Sequence, residues 1–155
     1  MSDTKKHFKK RLIFVIFCFS FVFWALLSDG GKNVELTYKA EIQGDILKVS
    51  GNCDLPEGSL LTLSALSISS PLSSSPGMET ESLIKVGNGY FEKELDLSSF
   101  PDGEIDVSIY FYPTRKEQPE KVVEEFGKKG EKLEGENLID TGDYKAVWFE
   151  KIIKK

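Results

Sequence analysis

The residues best suited to chemistry in this 155-residue chain are carboxylates. Asp102, Glu104 and Asp106 alternate at the start of an apolar-polar run, so their side chains emerge on one side of an extended strand. Three oxygens on one face are the beginning of a Ca²⁺ site, to which Asp140 and Asp143 are candidate further ligands. The bland reading competes strongly. Asp102-Gly103 is a turn pair, Glu104 and Asp106 suit a wet strand face, and EF-hand spacing is absent. Glycoside hydrolysis needs two carboxylates facing one bond. Glu124 and Glu125 are neighbours that project about 100° apart on a helix, so they do not form such a pair.

Other reactive groups are scarce. The one histidine, His7, lies in the basic N-terminal stretch, leaving the rest of the chain no imidazole for a nucleophile-base pair or a typical zinc site. The two cysteines are Cys18, inside an apolar run, and Cys53, which reads as an inert, buried small hydrophobe. An intrachain disulfide in the domain that follows is excluded. The glycine-bearing segments GNGYF and GKKGEKLEG do not join a strand to a helix as phosphate-binding loops do, and read as turns. The sequence therefore predicts no enzyme, no cofactor and no catalytic residue.

The elements that would carry these residues begin with KKHFKKR and the uncharged run from Leu12 to Ser28. A basic flank before an apolar run keeps the chain start cytoplasmic. As a helix, 17 residues rise roughly 25 Å, at the short limit for a bilayer span. Cleavage after Ser28 would place bulky Leu26 where a signal peptidase needs a small residue. The reading is an uncleaved signal-anchor in a single-pass cell-membrane protein with its C-terminal domain outside; the alternative is a cleaved signal peptide and a secreted protein. Cys18 is no lipidation site, since bulky Phe17 precedes it and apolar sequence continues after it.

Residues 1–28 carry five bases against one acid, net +4; the remaining 15 bases and 24 acids give −9. So acidic a domain repels phosphate backbones, which excludes nucleic acid as a partner. Residues 29–33 read as a linker and 34–155 as the exported domain. VELTYKAEI alternates strictly, and Gly44-Asp45 turns it into ILKVSG as a hairpin. LLTLSALSIS is a more buried strand, followed by an exposed, mobile Ser/Pro/Gly loop from Ser69 to Thr80. Gly87-Asn88-Gly89 predicts a second hairpin, between SLIKV and YFEKELDL. EIDVSIYFY places Ile105, Val107, Ile109 and Phe111 on one face, and Glu104, Asp106 and Ser108 on the other. Pro119 opens a short helix bearing Val122, Val123 and Phe126, stopped by Gly127 or Gly130. DYKAVWFEKII ends the pattern as a strand apolar on both faces, and KIIKK reads as a solvated tail. About seven short strands imply a mostly β fold: a single antiparallel immunoglobulin-like β-sandwich with one short helix, behind an N-terminal hydrophobic helix.

KVSGNCDLPEGSLLTLS, VGNGYFEKELDL, PDGEIDVSIYFYP and QPEKVVEEFGKKGEKLEG resemble, in order and spacing, a largely uncharacterised group of exported bacterial β-sandwich proteins. The resemblance covers most of residues 46–135 and departs at Cys53, where a polar residue is more usual. It implies export and a sandwich, and no site residues. The function expected is a membrane-tethered extracytoplasmic binding module. Its loops, Ser69–Thr80 and Pro113–Pro119, would meet a protein or polymer at the cell envelope. The alternatives are an envelope enzyme or enzyme inhibitor working through carboxylates without histidine, and a calcium-assisted adhesion module.

Overall fold

The computed structural model describes residues 30–68 and 77–155. The apolar Leu12–Ser28 run and most of the Ser69–Thr80 loop lie outside the described residues. Among the described residues no helix is long and apolar enough to cross a membrane. The described residues form ten strands and one helix in the order β1 (Lys32–Asn33), β2 (Leu36–Gln43), β3 (Ile46–Cys53), β4 (Leu60–Ser67), β5 (Glu79–Lys85), β6 (Tyr90–Asp96), β7 (Glu104–Phe111), α1 (Glu120–Phe126), β8 (Leu133–Glu134), β9 (Leu138–Asp140) and β10 (Lys145–Lys154).

Two antiparallel sheets dominate, with strand order β5-β4-β7-β10-β9 in the larger and β2-β3-β6 in the smaller. Their inward positions supply one continuous apolar core. Leu36, Ala40, Leu47, Val49, Phe91 and Leu95 come from the small sheet; Leu61, Leu63, Ile84, Ile105, Val107, Ile109, Phe111 and Val147 come from the large one. Alternation along each strand produces this, because successive side chains point to opposite faces. The fold is mostly β, and its arrangement is consistent with a β-sandwich. Tyr38 ties the two sheets together, its hydroxyl donating to the Val107 carbonyl at 2.9 Å. In α1, Pro119 precedes the first turn and Gly127, at φ 87°, ends the helix after its N–H bonds the Val123 carbonyl. Val122 and Phe126 are buried, and Phe126 meets Phe111 edge-on at 5.1 Å.

Three differences from the sequence reading have physical causes. Asn88 and Gly89 both take positive φ, as the turn requires, and Gly87 and Tyr90 exchange hydrogen bonds. The strands on either side nevertheless part at once. β5 pairs with β4 in the large sheet, while β6 pairs with β3 in the small one. The turn fixes a reversal, and burial of Ile84 and Phe91 decides the partners. Next, the linker's Lys32–Asn33 pairs in parallel with Leu133–Glu134. It is recruited because Leu133, alone in a polar stretch, is fully buried. Finally, the end of KIIKK is no solvated tail. β10 runs through it, and the Lys155 ammonium donates to the carbonyls of Leu97 (2.6 Å) and Phe100 (2.8 Å) and pairs with Asp45 at 3.1 Å.

Candidate functional site: the outward face of the large sheet

Strand register arranges the outward face of the large sheet in rows. One row, across β5, β4, β7 and β10, is Leu83, Thr62, Tyr110 and Trp148. The next is Glu81, Ser64, Ser108 and Glu150, and the third is Glu79, Leu66, Asp106 and Ile152. Neighbouring rows lie two residues apart, about 7 Å, and strands within a row about 4.8 Å apart. Long side chains in the outer rows overhang the short hydroxyls of the middle one, so Ser64 and Ser108 are buried although they point away from the core.

The first row continues into an aromatic strip. Tyr110 stacks on Trp148 with ring centroids 6.1 Å apart and planes 7° from parallel, and on Tyr112 at 5.6 Å and 15°. Tyr144 meets Tyr112 edge-on at 6.3 Å. Such offset and edge-on geometries are favoured by the ring quadrupole. The strip is held from below: the Trp148 indole N–H donates to Ser108 Oγ at 3.1 Å, and the Ser108 hydroxyl donates to Asp106 Oδ1 at 2.9 Å. Burial, helped by the neighbouring Tyr110 and Tyr144 hydroxyls and by Glu81, pushes the Tyr112 phenol above its ordinary value. It therefore stays a neutral donor at physiological pH.

Beside the strip, the Pro113–Pro119 loop is fastened down. Gln118 is buried, accepts from the Leu60 N–H at 2.9 Å and donates to the carbonyls of Leu60 and Tyr112. Arg115 donates to Thr62 Oγ1 at 2.8 Å. This loop frames the face as a fixed rim.

The calcium candidates divide. Asp102, Glu104 and Asp106 sit together at one end of β7, with Asp106 already accepting from Ser108. Asp140 accepts from the Gly142 N–H at 2.9 Å in a turn that also contains Asp143. In the register of β10, Glu104 lies opposite Lys154 and Asp140 opposite Lys145, nine residues apart and so roughly 30 Å. The two groups cannot share one ion. Among the described residues no group of three or more His, Cys, Asp or Glu side chains could hold a metal. Cys53 is half-buried, and burial pushes its thiol up; the Asp54 charge acts in the same direction, against a backbone N–H bond from Leu55. It is a poor nucleophile at neutral pH.

The small sheet bears a shallow groove of about 360 Å³ whose lining includes Thr37, Tyr38, Ser50, Gly51, Asn52 and Tyr90. It is open, with Tyr90 its exposed aromatic ring. The aromatic strip was not anticipated from the sequence. Its signal was present: Tyr110 and Tyr112 continue the outward register of Glu104, Asp106 and Ser108, so a wet face turns aromatic along one strand. Comparison of the chain with protein-family profiles, with curated proteins and with solved structures finds no match.

Proposed function

We propose that this chain is a membrane-tethered extracytoplasmic binding module of immunoglobulin-like sandwich type, with no catalytic role, that engages a protein or polymer at the cell envelope. Its N-terminal run serves as an uncleaved anchor, and the outward face of the large sheet is the recognition surface. One observation carries the choice of surface. Of the eight large hydrophobic side chains that are exposed among the described residues, Leu66, Ile68, Leu83, Tyr144, Trp148 and Ile152 all belong to this one face or its rim. Concentrated apolar exposure beside polar residues marks an interaction site, and Tyr and Trp are the side chains most enriched where interfaces gain their energy. The Pro113–Pro119 loop plays a lesser part in this reading, because it is committed to β4.

The test is a photo-crosslinking amino acid at position 83 of the full-length chain, in cells. A discrete adduct is expected at that site. Substituting Trp148→Ala with Tyr110→Ala should remove it, while the thermal melt of the variant shows a retained fold. The absence of any adduct from position 83 would reject this face as the recognition surface.

A further inference from the structure

We infer that the outward face of the large sheet takes a cationic, extended polypeptide segment, its Arg or Lys side chains lying against the Tyr110 and Trp148 rings and pairing with Glu81, Asp106 and Glu150. This deepens the binding-module reading and rests on it. Two properties of the face coincide. Aromatic rings attract cations through their negative faces, and Arg stacks on them while its fork remains free for a carboxylate. Four carboxylates then lie within one or two rows of the stack. Glu81 and Glu150 end the middle row, and Glu79 and Asp106 stand in the next. Among the described residues none of the four is in an ion pair, whereas Glu104, farther along, faces Lys154 across β7 and β10. Arg115 is turned onto Thr62, and Lys85 stands at the end of β5.

The occupant follows from charge complementarity. A second copy of the chain would set the same carboxylates against each other, within a domain already at net −9. A small cation alone would leave Leu66 and Ile152 uncovered. An extended segment with bases at alternate positions matches the roughly 7 Å separation of the rows, and the aliphatic stem of the base over the third row can cover Leu66 and Ile152.

The experiment uses full-length protein in detergent and a fluorescent twelve-residue peptide alternating Arg with Leu, titrated at about 0.15 M ionic strength, where charges more than about 8 Å apart are screened. Saturable binding is expected. The triple variant Glu81→Gln, Asp106→Asn, Glu150→Gln should weaken it by about tenfold or more, the scale of one good charge contact. A control triple on the other sheet, Glu41→Gln, Glu92→Gln, Glu94→Gln, changes the net charge equally and should shift affinity by less than about twofold. Equal losses in both triples would reduce the effect to bulk charge and overturn the inference. So would an absence of binding, or a preference for a neutral glucan oligosaccharide offered in parallel. If the peptide fails while the position-83 adduct still forms, the ligand class is wrong and the binding module stands. If both fail, the module falls too.

Discussion

Tyr38 shows how one side chain can couple two layers. Its ring belongs to the core and its hydroxyl spends its donor on the Val107 carbonyl. Burial pushes its phenol far above the ordinary value, and the Asp106 and Glu150 charges push the same way. The sign of the pH dependence follows. Above pH about 10 the unfolded chain ionises this tyrosine, while the folded protein keeps its proton, so the unfolded state binds fewer protons and stability falls as pH rises. Tyr38→Phe removes both the hydrogen bond and that titration. At pH 7 the variant should be less stable by about 1–2 kcal/mol, the cost of one bond and a poorly satisfied carbonyl. The gap from wild type should narrow between pH 9 and 11 in urea unfolding curves, as the unfolded phenol titrates. A gap constant across that range would mean that Tyr38 is solvated. Lys155 teaches the opposite lesson about single residues. A terminal lysine reads as wet, and only the three-dimensional convergence of Leu97, Phe100 and Asp45 makes it an almost buried, fully paired ammonium.

At the scale of elements, what was legible was whatever depends on local period. The alternation in β2 and β7, the Gly44-Asp45 reversal and the Pro119–Gly127 bounds of α1 all follow from neighbours in sequence, and the structure has them. What was not legible depends on partners distant in the chain. The separation of β5 from β6 is one case, and the aromatic strip is another, because Tyr110 and Trp148 meet only through the β7–β10 register. Gly51 is an element-level constraint of the same kind. It lies in the middle strand of the small sheet, paired with Tyr38 on one side and Phe91 on the other. A Cβ there would run into the Thr37 carbonyl oxygen and lie 2.6 Å from the Phe91 ring. The backbone oxygen cannot move without breaking the β2–β3 ladder. Gly51→Ala should therefore cost about 1–3 kcal/mol, the range for an overpacked core, and lower the melting temperature. Gly44→Ala meets no atom within 4 Å and is strained only by its φ of 62°. An unchanged melt for Gly51→Ala would show that the two strands have room to part.

For the whole molecule, the decisive property is the division of charge. Five bases precede the Leu12–Ser28 run, and a domain of net −9 follows it. Bases near an apolar segment hold that end on the cytoplasmic side, where they also meet an anionic leaflet. In the proposed topology the acidic domain of net −9 lies on the other side of the membrane. The expected outcome is measurable with a reporter enzyme joined after Lys155 whose own disulfides form only outside the cytoplasm. In membranes carrying the intact chain the reporter should be active. Changing Lys5, Lys6, Lys9, Lys10 and Arg11 to Gln should cut the external activity several-fold, because the cytoplasmic determinant is gone while the apolar run is untouched. Activity found only for a reporter that works in the reducing interior would place the sheet face inside the cell, where the binding partner would have to be sought among cytoplasmic proteins.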